Sequence, residues 1–317
     1  MRVKSEQLFT HVVPAGVAGK IVQFPLVRVV IAFMFFLPLT LLVFFFDYVH
    51  DAVSGEWLLT LVEYIKSTVG FAVMILLWRL YCRVIERRTA LEFSTKGLLK
   101  ELGLGLGIGA GLQLVMAAVL ALLGYLHLEG YNLNVVLLTD GLFSLATAAL
   151  IEEVMFRAIL FKMTEELFGS WIAITIQAFL FGFAHLGNPN ATVMASIAIM
   201  LSAGFLLAGT YMFTRRIWLV LGIHFAWNWV QGPVLGLPIS GAPSEGILTP
   251  VVNGPEWLTG GAFGVEASVM TPILCCILGI IFLRKALLNQ QLVRPMWVRK
   301  RESENKAHRP TDIQSQT

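Results

Sequence analysis

Long apolar runs separated by short polar stretches dominate this chain. A helix needs about 20 residues to cross a bilayer. Runs of about that length lie near 27–46, 67–84, 102–126, 137–161, 171–187, 191–213, 217–231 and 268–284. The fifth and seventh runs are short, which also fits a tilted, buried or partly re-entrant helix. The pattern predicts an all-α, polytopic membrane protein of about eight transmembrane helices.

The composition agrees with a membrane location. Hydrophobic residues make up 57% of the 317 residues and charged residues only 14%, and the mean hydropathy is +0.76. Soluble domains carry about 25% charged residues, so water is not the main solvent of this chain. The first apolar run starts too late and is too long for a cleaved signal peptide, and we expect it to remain as an anchor.

Basic residues predict the orientation, because cytoplasmic loops carry an excess of lysine and arginine. Acidic residues follow the first span, whereas every second boundary after it is basic. The basic boundary residues are Lys4, Lys20 and Arg28 before span one, Arg83, Arg87 and Arg88 after span two, Lys162 after span four, Arg215 and Arg216 after span six, and Arg284 and Lys285 after span eight. This alternation predicts eight spans with both termini in the cytoplasm.

Three regions follow from these patterns. Residues 1–26 form a predicted cytoplasmic or interfacial segment, 27–284 the transmembrane domain, and 285–317 a basic cytoplasmic tail. Within the domain, the loop 232–267 holds eight glycines and five prolines, so it cannot be one continuous helix. It is either an irregular connector or a lid over a site in the membrane.

Candidate chemistry lies in three motifs inside apolar runs. A charge at membrane depth costs about 2.5 to 3.5 kcal/mol, so such residues usually have a function. Glu153 and Arg157 are four residues apart and can pair on one helix. Glu152 has no local partner and remains free to take a proton from water. The alternative is a purely structural ion pair that holds helices together.

The other two motifs carry histidines. His224 and Asn228 are four residues apart, so both can point at one bound group. His185 ends the fifth run. A lone histidine in an apolar helix is more often a satisfied core residue, yet these two lie in the same half of the chain as the glutamates, and we interpret both as functional.

Taken in order, the three motifs resemble those of the CPBP (Abi) family of intramembrane endopeptidases, which includes type II CAAX prenyl proteases. The stretches 185–192 and 224–233 are similar to bacterial branches of that family, and the resemblance covers about residues 100–232. It implies an active site inside the helix bundle of a multi-pass protein of the bacterial inner membrane. The implied site residues are Glu152 as the water-activating glutamate, Glu153 and Arg157 as support, and His185, His224 and Asn228.

The resemblance implies peptide hydrolysis. In the favoured interpretation Glu152 activates a water, His224 and Asn228 stabilise the oxyanion, and His185 orients the water or protonates the leaving amine. No cofactor is then required. The alternative is a zinc ion held by His185, His224 and Glu152. We expect a membrane-associated protein or peptide as substrate, the lipid bilayer as surroundings, and no nucleic acid.

Two other functions remain open at this point. An ion-coupled transporter also holds carboxylates and histidines at mid-membrane, and an immunity or scaffold protein can keep such a fold without activity. The predicted depths of the site residues in the membrane also disagree with one another. Glu152 and His224 lie near mid-membrane, about 15 Å from Lys162 and about 12 Å from Arg216, whereas His185 is three residues from the outer-side Asn188.

Overall fold

Eight main helices form the membrane part of the chain. The structure is a computed structural model that describes residues 3–9 and 16–307. The helices are α1 (Pro25–Ala52), α2 (Glu56–Val84), α3 (Leu98–Leu122), α4 (Val135–Phe168), α5 (Ser170–Gly187), α6 (Val193–Thr214), α7 (Ile217–Trp229) and α8 (Met270–Leu288). In this described part, seven of them, all but α7, are long and apolar enough to cross a membrane. The predicted all-α, polytopic membrane fold is confirmed.

The seventh predicted span, 217–231, corresponds to α7, which has only 13 residues. Nine of these are buried, so α7 is surrounded by protein rather than by lipid. Its closest neighbour is α3, where a Cβ added at Gly105 or Gly109 would overlap the backbone of α7. A helix enclosed in this way does not have to match the bilayer thickness, which explains its short length.

Irregular turns occur in three of the long helices, α1, α4 and α6, and directly after the short α7. α1 bends at Phe36, between its segments Pro25–Phe35 and Leu37–Ala52. The others contain or adjoin π-helical turns, which carry one extra residue per turn and are frequent at functional sites. These are Val154–Phe161 within α4, Met200–Gly204 within α6, and Val230–Val234 directly after α7.

The remaining elements are short. They are the helices Ser5–Leu8, Val17–Val22, Glu256–Thr259 and Met296–Ala307, the 3₁₀ turns Leu91–Phe93, His185–Gly187, Gly261–Phe263 and Val265–Ala267, and the strands β1 (Leu126–Tyr131) and β2 (Leu248–Val252). The strands pair antiparallel, with Leu126 opposite Val252. The glycine-rich segment 232–267 has no continuous helix, as its composition predicted, but it is built from a strand and short turns.

Charged side chains form a buried cluster at the end of the bundle where α2 ends and α4 ends. Glu86 accepts from Arg28 at 3.1 Å and also pairs with Lys162. Lys162, which was predicted to mark a cytoplasmic boundary, is fully buried, and α4 continues past it to Phe168; its location at that boundary stays a prediction. Hydropathy alone does not separate a lysine in the headgroup layer from one enclosed by glutamates.

The N-terminal segment contacts the stretch that follows α8, beside this cluster. The side chain of Gln291 accepts from the Ser5 amide at 2.9 Å and donates to the Val3 carbonyl at 2.8 Å. Parts of the predicted terminal segments, 1–2, 10–15 and 308–317, lie outside the described residues. The predicted cytoplasmic location of both termini stays a prediction.

Candidate active site

The first motif lies on α4, where the helix passes into its π-helical turn. Arg157 donates to Glu153 Oε1 at 2.8 Å, so the pair expected from the spacing is present. The guanidinium also donates to the Ala203 carbonyl at 3.1 Å and lies 4.4 Å from the centroid of the Phe181 ring. Arg157 and Glu153 are both fully buried. This pair therefore joins α4 to α5 and α6.

Glu153 has a second partner, His224 on α7. The Nδ1 atom of His224 lies 2.7 Å from Glu153 Oε1. An ionised carboxylate only accepts, so Nδ1 carries the proton in this contact. The opposite ring nitrogen, Nε2, lies 3.9 Å from Glu152 Oε2, and no residue in the described chain hydrogen-bonds that oxygen. Glu153 thus orients His224 towards Glu152.

His185 is oriented by the main chain of its own helix. Its Nδ1 atom lies 2.8 Å from the carbonyl oxygen of Phe181, one turn earlier on α5. The carbonyl can only accept, which assigns the proton to Nδ1 and leaves a lone pair on Nε2 in the neutral ring. Both histidines therefore use Nδ1 for orientation and keep Nε2 for a bound group.

A small cavity brings three of the predicted site residues together. His185, His224 and Asn228 all line it, and its volume of about 40 Å³ has room for one or two water molecules. Within residues 16–307 the Asn228 side chain has no hydrogen-bond partner. Glu152 does not line this cavity, but its Oε2 lies 3.9 Å from Nε2 of His224, which does, and its side chain is 35% exposed. Glu153 and Arg157 lie behind the histidine.

Three further polar residues of the cavity, Ser202 of α6 and two residues of a loop, were missed by the sequence analysis. Glu266 and Ser240 both come from the glycine-rich segment 232–267. Glu266 accepts from Trp227 Nε1 at 3.1 Å and from the Ser240 amide. Burial raises the pKa of the Glu266 carboxyl, although hydrogen bonds from Ser240 and Trp227 oppose this. In the sequence, the feature that could have indicated this role is the Glu266 carboxylate, which stands between Val265 and Ala267 just before an apolar run.

Loop contacts resolve the disagreement in depth. Asn188 donates to the Ser240 carbonyl at 2.9 Å, and Asn190 donates to the Gly241 carbonyl at 3.0 Å. The segment 232–267 therefore packs onto the end of α5, and the cavity forms where α5 stops. Gly241 has a φ of 88°, and a Cβ there would overlap the Pro189 carbonyl. These loops form one wall of the cavity at the end of α5, which is where His185 lies.

The donor set does not fit a metal ion in this arrangement. In the part of the chain that the structure describes, no three side chains of histidine, cysteine, aspartate or glutamate lie close enough together to ligate one ion. His185, His224 and Glu152, the ligands of the alternative zinc interpretation, are therefore not arranged as such a site. No step of the chemistry below passes through a metal.

Comparison with known proteins gives one family. The family model for type II CAAX prenyl endopeptidase Rce1-like proteins matches residues 133–230. All three motifs lie in this segment, which is under a third of the 317-residue chain. No curated protein and no solved structure matches the chain. The chain is thus an integral membrane protein whose motif-bearing segment is similar to a family of membrane proteases, and the narrower bacterial branch stays a prediction.

Proposed function

We propose that this protein is an intramembrane endopeptidase that hydrolyses peptide bonds of membrane-associated proteins or peptides with a glutamate-activated water. The match of residues 133–230 to the prenyl endopeptidase family supports the reaction class. The observation that carries the mechanism is the contact between His224 and Glu152, 3.9 Å apart, beside a cavity that His185 and Asn228 share.

In the proposed reaction Glu152 takes one proton from a water molecule. The water oxygen then bonds to the carbonyl carbon of the substrate, and the carbonyl oxygen becomes an oxyanion. The carbon–nitrogen bond breaks, and the leaving nitrogen receives the proton that Glu152 had taken. One carboxylate thus serves as base and then as acid, with no covalent intermediate.

The histidines and Asn228 have separate roles in this scheme. The lone pair on His185 Nε2 accepts a hydrogen bond from the water, which favours orientation of the water over protonation of the amine. Asn228 and His224 donate to the oxyanion. As a donor through Nε2, His224 carries protons on both nitrogens, a form that the carboxylates on its two sides stabilise.

The test is a Glu152→Gln variant, which is nearly isosteric but cannot accept the proton. We expect cleavage of a reporter substrate to fall by at least about 100-fold, the typical contribution of a general base, while thermal stability is retained. The matched control is Glu245→Gln, the same change at an exposed position of the loop. Wild-type turnover by Glu152→Gln would refute the base, and a wild-type protein without any cleavage activity would favour a scaffold or transporter.

A second measurement concerns the cofactor. Since the proposed nucleophile is activated by Glu152 alone, purified protein should keep its activity after exhaustive chelation. Loss of cleavage on chelation, restored by stoichiometric zinc, would replace this mechanism with a metal-dependent one.

A further inference from the structure

Three exposed arginines and the more buried Arg88 line an open groove at the end of α2, away from the proposed active site. Arg79 and Arg83 lie one turn apart on the helix, and Arg87 follows in the next loop. Arg88, Thr89, Ala90 and Phe93 complete the groove, which encloses about 750 Å³. The side chains of Arg79, Arg83 and Arg87 are exposed. The groove is therefore open to a ligand from outside the protein.

The positive charge of the groove is not neutralised by the protein. The side chains of Arg79, Arg83 and Arg87 have no hydrogen bond or ion pair with any residue in 16–307. The two nearby carboxylates, Glu86 and Glu92, are buried, and each pairs with Arg88 at 2.6 Å. Burial opposes ionisation of Glu86, but Lys162, Arg88 and Arg28 lower its pKa to about 2. Both carboxylates therefore pair with cations other than Arg79, Arg83 and Arg87, and do not neutralise these three side chains.

The backbone of the groove is held in an unusual conformation. Arg87 has a φ of 53°, in the left-handed region that side chains other than glycine rarely adopt. From that turn the Arg88 amide donates back to the Cys82 carbonyl at 2.9 Å. The turn brings residues 89–93 beside α2 and gives the groove its second wall, so the strained residue is itself one of the three arginines.

An apolar strip adjoins the charged groove on the same helix. Leu76, Leu80 and Val84 are 61%, 48% and 53% exposed. Their spacing of four sets them on the helix face next to Arg79 and Arg83. A guanidinium binds a phosphate through two parallel hydrogen bonds, and an exposed apolar face on a membrane helix contacts acyl chains. Charge and apolar surface therefore meet at one place.

We propose that this groove binds the phosphate headgroup of an anionic phospholipid, with the acyl chains along Leu76, Leu80 and Val84. Arginines at a membrane boundary also attract anionic lipid diffusely, at about 1 kcal/mol each. A specific groove differs from diffuse attraction because the loss on mutation depends on position rather than on charge alone. The proposal does not depend on the proposed protease activity.

The experiment measures lipid binding to the purified full-length protein by native mass spectrometry. Dioleoylphosphatidylglycerol is titrated against dioleoylphosphatidylcholine, with an Arg79→Gln/Arg83→Gln variant and a Lys96→Gln/Lys100→Gln control. The control removes the same charge from exposed positions near the same end of the bundle. We expect the arginine variant to bind phosphatidylglycerol about 30-fold more weakly, and the lysine control to change by less than about threefold.

Two outcomes would overturn the proposal. Equal losses in both double variants, or no loss in either, would mean that the lipid is attracted by overall charge and not by the groove. A competition arm with inorganic phosphate separates the source of the anion, because displacement at micromolar phosphate would identify a soluble phosphate compound as the ligand. An Arg79→Lys/Arg83→Lys variant keeps the charge but lacks the planar guanidinium that forms two parallel hydrogen bonds, and should bind with intermediate affinity. Thermal unfolding in neutral detergent checks that each variant is folded.

Discussion

The two adjacent carboxylates of the first motif have different surroundings, although their sequence context is nearly the same. Glu153 is fully buried and accepts from both Arg157 and His224. Glu152 is partly exposed, and its nearest charged neighbour, His224 Nε2, is beyond hydrogen-bond distance at 3.9 Å. One residue of offset is about 100° on a helix, so one side chain is enclosed by protein while the other is partly exposed beside His224.

Arg157 gives a prediction about stability. Its guanidinium joins Glu153, Ala203 and Phe181, and removal of one partner from a buried pair costs about 3 to 5 kcal/mol. We expect Arg157→Ala to accumulate poorly in membranes and to unfold at lower temperature. Arg284→Ala, an exposed arginine at the end of α8, is the control and should behave like wild type.

The opposite result for Arg157 is equally informative. A stable but inactive Arg157→Ala protein would mean that the arginine takes part in the chemistry and does not only position Glu153. Comparison of thermal unfolding with cleavage rate on the same preparation separates the two roles.

At the scale of elements, the position of His224 depends on the contact between α3 and α7. A Cβ at Gly109 would overlap the Ile223 carbonyl, directly before His224, whereas Gly107 has open space around it. Small residues let membrane helices approach closely, and four-residue spacing keeps Gly105 and Gly109 on one face. The glycines of α3 thus fix one side of the candidate site without contacting it.

This contact predicts a difference between two glycines in the same helix. Gly109→Leu should separate α3 from α7 and lower both thermal stability and cleavage, since overpacking costs about 1 to 3 kcal/mol. Gly107→Leu, which faces outward, should leave both unchanged. If Gly109→Leu does not fold, Gly109→Ala provides the smaller step, and equal behaviour of the substitutions at 107 and 109 would contradict the packing argument.

At the scale of the whole molecule, the buried charged cluster gives a pH dependence. Glu86 contacts Arg28, Lys162 and Arg88, and these cations lower its pKa from the ordinary value of 4.5 to about 2 even though burial alone would raise it. A group with a lowered pKa stabilises the fold above its unfolded value and loses that effect as the pH falls. The contribution of Glu86 is therefore present above about pH 4.5 and is lost towards pH 2.

A Glu86→Gln variant tests this contribution. Near neutral pH it leaves three buried cations without their shared carboxylate, and we expect a loss of about 3 to 5 kcal/mol in the free energy of unfolding. The gap between variant and wild type should narrow as the pH is lowered from about 4.5 towards 2, measured by thermal unfolding in detergent. A gap that stays constant over this range would show that Glu86 is not ionised in the folded protein.

The sequence predicted the helices well, because bilayer thickness imposes a length that apolar runs reveal directly. The spacing of Glu153 and Arg157 likewise predicted their contact. The sequence did not predict β1 and β2, whose pairing joins residues more than 100 positions apart. Nor did it predict Glu266, which reaches the cavity only through the folding of a glycine-rich loop. The local pattern of apolar residues shows which surfaces of a helix are buried. It does not show which distant loop packs against them.

The buried charges of α4 also have a consequence for the order in which the chain is made. Lys162 and Glu166 find partners in segments already synthesised, Glu86 and Arg28, but Glu165 pairs with Arg215, which is 50 positions later. At a translation rate of about 5 to 20 residues per second, Glu165 remains without this cation for several seconds after its own synthesis. His224 reaches Glu153 later still. A nascent chain that stalls before Arg215 would leave the Glu165 carboxylate without its buried cation, and one that stalls before α7 would leave Glu153 without His224. Assembly of this site therefore depends on synthesis running through to its last motif.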